Sequence, residues 1–174
     1  MLASRINAKH ISLGSLVADE RLSLGFDRKR ETLIADLDRL SERVKEIIEE
    51  STGDVIVEGH YAADVVDPKD VYIVFVLRKD PEELNGVLRS RNYGEDKVRE
   101  NLAAEILDIC LYEAVKRCGV EKVCEVDLSR RNIEEAVEEI LQVLEGKKKR
   151  RVGIVDWLGK LESEGKLDEY LKDI

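Results

Sequence analysis

An α/β fold built on a parallel sheet is what this sequence predicts, and three observations predict it. Short runs rich in β-branched residues alternate along the chain with longer segments of helical apolar period. The best of those runs are continuously apolar, the pattern of strands covered on both faces rather than on one. The 174 residues, 43% of them hydrophobic, supply a real core for one ordinary domain, or a domain with an appendage, and rule out wholesale disorder.

Each element has its own signal. Lys9-His10-Ile11-Ser12 reads as a short strand. Residues 36–50 read as a helix, with Leu37, Leu40, Val44, Ile47 and Ile48 on one stripe and a stop before Gly53. Val55-Ile56-Val57 is a strand closing on Glu58-Gly59-His60. Residues 72–77 give the strongest strand, interrupted by nothing more polar than one tyrosine hydroxyl. Asp80-Pro81-Glu82-Glu83 opens a helix: a capping carboxylate, proline at the first helical position and acids on the positive end of the dipole. Residues 95–118 read as one long helix, with Val98, Leu102, Ile106, Ile109 and Cys110 aligned and Gly119 as its stop. Val123-Cys124-Glu125-Val126-Asp127 is the last strand, and residues 132–144 the last helix of the body. Alternation of this kind implies right-handed crossovers. The chain shows no internal repeat and no low-complexity stretch.

The basic run Lys147-Lys148-Lys149-Arg150-Arg151 reads as a linker between an α/β body, residues 1–146, and a helical tail, residues 152–174. In the tail Val155, Leu158, Leu161, Leu167, Tyr170, Leu171 and Ile174 recur at helical spacing around Gly165. That is a short helix pair, docked through Trp157.

Composition excludes several classes of function. No run approaches ~18 uncharged apolar residues, so no membrane span is expected. Residues 1–20 lack the basic-then-apolar order of a secretory signal. Cys110, Cys118 and Cys124 are odd in number and contain no C-x-x-C, which fits reduced thiols of a cytoplasmic protein. Charged residues make up 39% of the chain against a norm of about 25%, with a net charge of −9. The acidic balance argues against non-specific coating of nucleic acid but leaves room for a local basic patch.

Two clusters carry candidate chemistry. Glu58 sits where the apolar run 55–57 ends, and ligands of open α/β sheets bind outside the carboxyl ends of strands. An acid there suits a magnesium ion or its water shell, and His60 is placed to orient water. The alternative is a surface turn in which Gly59 merely reverses the chain. The second cluster is Arg89-Ser90-Arg91-Asn92-Tyr93-Gly94, followed by Lys97 and Arg99. Arginine forks at a glycine hinge suit a mobile, phosphate-covering lid; the alternative is a solvated turn with Arg89 and Arg99 paired to nearby acids. The run 147–151 offers phosphate contacts to RNA but reads first as a solvated linker. His10 reads as a strand-edge residue, not a ligand. One absence weighs as much as these motifs. Lysine follows glycine at Gly146, Gly159 and Gly165, but none completes the phosphate-cradling G-x-x-x-x-G-K-[S/T].

These residues resemble a known family. The stretch Leu2-Ala3-Ser4 through His10-Ile11-Ser12-Leu13-Gly14-Ser15-Leu16-Val17 resembles the segment just after the phosphate loop in adenylate kinase isoenzyme 6 and its archaeal relatives, small nucleoside-monophosphate kinases that act in ribosome assembly. Leu24-Gly25-Phe26-Asp27 resembles their monophosphate-binding region. Asp54 through Ala62, with Glu58-Gly59-His60, matches their acid-bearing strand and turn. Val76-Leu77-Arg78, Leu88 through Tyr93, Lys97 through Asn101 and Glu105-Ile106 resemble the lid and the helix behind it. Val155-Asp156-Trp157-Leu158 resembles the tail of archaeal members. The match covers most of the chain in the right order, with Asn92 standing where the family usually has glycine.

The resemblance implies a phosphate-loop nucleoside-monophosphate-kinase-like fold, a three-layer sandwich on a parallel sheet. Its monophosphate-binding region would span residues 12–35 and its lid residues 91–101. It implies ATP and AMP or another monophosphate as substrates and Mg2+ held partly through Glu58, by way of water. Glu58 and His60 would be catalytic, Arg91 and Arg89 would fold over ATP, and Gly14, Gly25 and Phe26 would receive the monophosphate. It also implies ATP hydrolysis and a place in small ribosomal subunit maturation, with a small-subunit ribosomal protein as partner. The family's first strand, central in its sheet, and the phosphate loop after it have no counterpart here, so roughly twenty residues are expected upstream of Met1. Either the natural protein begins earlier or the chain is a degenerate copy; the intact motifs favour the first. The rival functions are a non-enzymatic or ATPase-coupled assembly factor and an inactive kinase fragment.

Interleaved charge at this density suits the surface ion-pair networks of thermophilic proteins. Thermal unfolding followed by circular dichroism is expected to give a Tm well above the mesophilic range of about 45–65 °C; a midpoint near 50 °C contradicts a thermophilic source.

Overall fold

The computed structural model describes residues 1–172 and divides into two compact units, residues 1–72 and residues 73 onward. In the first, α1 (Leu2–Arg5) leads into β1 (Lys9–Ser12), α2 (Leu13–Asp19), β2 (Ser23–Asp27), β3 (Thr32–Ala35), α3 (Leu37–Glu49), β4 (Val55–Glu58) and α4 (Ala62–Val65). β1 and β4 pair in parallel, with Ser12 opposite Glu58. Ile11, Val55 and Val57 pack against the buried stripe of α3, Leu40, Val44 and Ile47, and Leu13, Val17, Leu22 and Val65 complete that core. Asp36 caps α3, its carboxylate accepting from the Arg39 N–H at 3.2 Å.

β2 and β3 form an antiparallel hairpin with an irregularity between Ser23 and Gly25. No strand signal is readable in these residues, for a physical reason. Leu24, Phe26, Leu33 and Ile34 are all exposed, so no single buried face imposes an alternation.

The second unit runs β5 (Val74–Arg78), α5 (Pro81–Ser90), α6 (Glu95–Ile106), α7 (Ile109–Cys118), β6 (Val123–Asp127), α8 (Ile133–Leu144), α9 (Trp157–Ser163) and α10 (Leu167–Leu171). β5 and β6 pair in parallel with Val76 opposite Glu125, and Val76 and Val123 meet Ala114 of α7. Asp80 caps α5 by accepting from the Glu82 N–H at 2.9 Å, and Asn132 and Glu135 form a reciprocal capping box on α8. The strand expected over 72–77 begins two residues later and continues through Arg78. Tyr72 is 67% exposed, whereas the Arg78 side chain is buried.

Two further expectations need correction. The single helix expected over 95–118 is broken: α6 ends at Ile106, and Asp108 adopts a left-handed φ of 57° before α7. Arg78, 1% exposed, is the cause. Its Nε donates to Glu105 Oε1 at 2.9 Å and its Nη2 to the Glu105 carbonyl at 3.1 Å. Its two terminal nitrogens also pair with the carboxylates of Asp108 and Glu125. A continuous helix would tie that carbonyl to the Ile109 N–H and turn Asp108 away.

The run from Lys147 to Arg151 is not a free spacer. Lys148 and Arg151, with Arg131, converge on the carboxylate of Glu139, and Lys147 pairs with Glu145 at 2.6 Å. The Arg151 carbonyl accepts from the Glu125 N–H of β6 at 2.8 Å. The tail beyond it forms the expected helix pair, with Trp157 and Leu161 buried against Ile106. Ile174, placed in that pair by its spacing, lies outside the described residues.

Removing the guanidinium leaves three carboxylates facing one another without a counter-charge. Arg78→Met is expected to lower unfolding free energy by about 3–5 kcal/mol, read from urea denaturation. Acid acts through other groups. Burial pushes the Asp80 and Glu139 carboxyls up, but hydrogen bonds from Lys160 to Asp80, and from Lys148 and Arg131 to Glu139, outweigh it and hold both below the usual range. Groups so lowered stabilise the fold above their unfolded pKa of about 4 and lose that contribution as pH falls through the folded values. The urea midpoint should therefore drop steadily as pH is lowered from about 5 towards 2; a constant midpoint contradicts this assignment.

Candidate functional site

β1 and β4 end side by side, and parallel pairing sets the chemistry at that edge. Because side chains alternate along a strand and Ser12 lies opposite Glu58, the side chains of His10, Ser12 and Glu58 share one face. His10 Nε2 lies 3.1 Å from Glu58 Oε2, and Ser12 Oγ donates to Oε1 at a long 3.5 Å. Each oxygen of the carboxylate thus meets a polar group from β1. The pair remains open to solvent, with side-chain exposures of 49% for His10 and 63% for Glu58, so the contact adds little stability and leaves the acid accessible.

The donor set suits a hydrated magnesium ion. Glu58 and Ser12 supply hard oxygens, and among the described residues no three His, Cys, Asp or Glu side chains gather into a cage. Magnesium is typically held by one or two carboxylates, waters and substrate phosphates, not by an all-protein shell.

Gly59 shapes the turn after Glu58. Its φ is 149°, and a Cβ there would stand 3.0 Å from the Cβ of Leu13, the first residue of α2. Glycine alone lets the turn lie that close. His60 sits beyond it, exposed, its ring edge-on to Tyr61 at 6.3 Å. No hydrogen bond joins it to Glu58 among the described residues. Gly14 lies in the first turn of α2, and Gly25 and Phe26 lie in the hairpin opposite Ile34 and Leu33. Phe26 is 57% exposed, and no hydrogen bond links Gly25 or Phe26 to Glu58 among the described residues.

In the second unit, residues 91–94 join α5 to α6, and the structure sorts their cations. Arg89 is engaged: its guanidinium meets both oxygens of Glu95 at 2.5 and 2.8 Å and donates to Asn85 Oδ1 at 2.9 Å. Arg99 pairs with Asp96 at 2.5 Å. Lys97 lies over the Tyr93 ring at 4.1 Å. The Arg91 side chain is exposed and has no hydrogen bond or ion pair among the described residues. Asn92 takes a left-handed φ of 56°, a conformation that asparagine tolerates better than most residues.

Sequence reasoning sets His10 aside, and the structure places it against Glu58. Its spacing from Ser12 puts both on one strand face, but which strand lies alongside is a tertiary fact that no local pattern carries.

A family described as an AAA domain matches residues 1–108. A protein of Thermococcus onnurineus (strain NA1) named "Putative adenylate kinase" is 37% identical over 172 residues, spanning 98% of this chain and 87% of its own length. Proteins of the same name from Methanosarcina barkeri and Methanocaldococcus jannaschii are 35% identical over 86% and 92% of this chain respectively, and over 84% of their own length in each case.

The turn at Gly59 yields a direct test. Gly59→Ala is expected to cost about 1–3 kcal/mol in urea unfolding, from backbone strain with the Leu13 contact added; an unchanged midpoint would show that the turn relaxes freely.

Proposed function

This chain belongs to the archaeal adenylate kinase family, and from that premise we propose that it transfers the terminal phosphoryl group of ATP to a nucleoside monophosphate, with AMP the expected acceptor. The observation that carries the proposal is the Glu58 carboxylate, held open to solvent at the carboxyl end of the β1–β4 ladder with a polar group from β1 at each oxygen. Phosphoryl transfer needs little covalent help; it needs charge neutralisation, alignment and exclusion of water.

Each residue has a part in that scheme. Glu58, through bound water and with Ser12 beside it, would hold magnesium, which when bound neutralises charge on the phosphates. His60 would orient water at the same edge. Arg91, with no acid to leave among the described residues, is the cation ready to lay its fork on phosphate oxygens, whereas Arg89 must first give up Glu95. Residues 12–35, with Gly14, Gly25 and Phe26, would receive the monophosphate, and the exposed Phe26 ring offers a face on which a base can stack. Without an acceptor nucleotide, water would take the phosphoryl group, which is ATP hydrolysis.

A second reading makes the chain an assembly factor that binds a small-subunit ribosomal protein and takes part in small-subunit maturation. It rests on the same family resemblance, which pairs nucleotide chemistry with ribosome assembly. Contact of the basic run with ribosomal RNA gains no support, because Lys147, Lys148 and Arg151 are paired to Glu145 and Glu139.

The readings separate in an assay of ADP formation from ATP, AMP and magnesium, with the chain carried behind a β-strand and a G-x-x-x-x-G-K-[S/T] segment. The kinase reading expects two ADP per ATP consumed and a loss of kcat of roughly 100-fold in Arg91→Ala. Unchanged turnover in that variant removes Arg91 from the mechanism. Absence of ADP together with retained binding of a small-subunit ribosomal protein selects the second reading.

A further inference from the structure

The C-terminal helix pair touches α5 and α6 at several points. α9 makes the firm attachments. Trp157, 8% exposed, and Leu161, 1% exposed, pack on Ile106 at the end of α6, and the Trp157 indole N–H donates to Glu105 Oε1 at 2.7 Å. Lys160 pairs with Asp80, the cap of α5. These groups are largely desolvated, and breaking them exposes apolar area and strands a nearly buried carboxylate.

α10 is attached differently. It has five residues and none of them is buried. Lys166, at its cap, pairs with Glu82 in the first turn of α5 at 2.6 Å, and both side chains are partly exposed. Tyr170 packs against the cluster of Leu88, Val98 and Leu102, which also includes Tyr93. Those residues bracket the Arg91 turn: Leu88 lies in the last turn of α5, Tyr93 in the connection and Val98 in the first turn of α6. A five-residue helix has no stability of its own, and an exposed ion pair contributes about 0–1 kcal/mol. Leu167, Tyr170 and Leu171 also rest, partly buried, against the cluster of Ile106, Trp157 and Leu161. With no fully buried residue of its own, α10 is held more loosely than α9, and the residues that it would uncover include those that support the turn.

From this geometry we infer that α10 is a releasable latch, anchored by α9, that holds the Arg91 turn in place. Docked, it joins the apolar floor under the turn and ties that floor to the start of α5. Released, it removes Tyr170 from the floor and lets residues 91–94 move, while α9 stays fixed on Ile106 and Asp80. The inference deepens the proposed function, since it rests on reading residues 91–94 as the phosphate-covering turn; latch release then sets how readily that turn moves.

The test is amide hydrogen exchange of the chain itself, without nucleotide, comparing wild type with Tyr170→Ala/Lys166→Met. The expected result is exchange at least ~10-fold faster over residues 85–100, with unchanged protection in β5 and β6. Unchanged exchange over residues 85–100 overturns the latch. Acceleration that reaches β5 and β6 equally also overturns it, because α10 would then be an ordinary part of the core. Failure of the kinase reading shows separately, as absence of ADP in the turnover assay, which exchange does not measure.

Discussion

The second unit is organised around one buried cation. Burial opposes the charge of Arg78, but the field of Glu105 and hydrogen bonds to Glu105, Asp108 and Glu125 outweigh it and raise its pKa above the usual arginine value. Three carboxylates around one guanidinium need further donors, and the backbone and tail supply them. Glu125 Oε2 accepts from the N–H groups of Gly153 and Ile154, and Glu105 Oε1 accepts from the Lys79 N–H and the Trp157 indole. No buried side-chain nitrogen or oxygen lacks a partner among the described residues. A cluster that is satisfied only when β5, β6, the α6–α7 break and the tail are all in place couples those segments into one folding unit.

That coupling explains features that would otherwise look unrelated. Asp108 takes a left-handed conformation because its carboxylate is wanted at Arg78. The tail lies close along β6 because Glu125 needs the N–H groups of Gly153 and Ile154. Glu139 repeats the arrangement with opposite stoichiometry, one acid drawing in Arg131, Lys148 and Arg151, and thereby folds a run of five cations back onto α8. The charges at the centres of these clusters, Arg78, Glu125 and Glu139, are buried and each has several partners. The charges proposed for chemistry, on Glu58 and Arg91, are exposed with weak partners or none, as groups must be if they are to exchange water for substrate.

Much of this was legible in the sequence, and what was not shares a cause. Asp80 announced its helix because a cap is a local bond, here to the N–H two residues on. Glu58 was found because a continuous apolar run marks a strand and the residue after it marks the sheet edge. The resemblance to adenylate kinase isoenzyme 6 and its archaeal relatives rested on motifs in order, and the relatives' identities agree with it. The break at Asp108, the pairing of His10 with Glu58 and the docking of Lys148 on Glu139 were invisible for the opposite reason. Each is dictated by a partner 9 to 48 residues away that sequence period cannot place. The hairpin escaped because exposed strands leave no core-facing pattern.

Asn92 shows how a departure from the family's pattern can leave geometry intact. A left-handed residue is needed where the α5 helix ends and the chain turns into α6, and glycine meets that need at no steric cost. Asparagine meets it at a small one, while its backbone N–H still bonds the Arg89 carbonyl at 2.9 Å and closes the turn. The restricted backbone also narrows the conformations open to residues 91–94 relative to glycine. A turn stiffened at its centre shifts the burden of movement onto its supports, the floor of Leu88, Tyr93 and Val98 and the short helix that lies against it. If the proposed latch holds, the substitution and the short α10 would belong to one mechanical arrangement, in which freedom removed at Asn92 would be returned by the element packed beneath it.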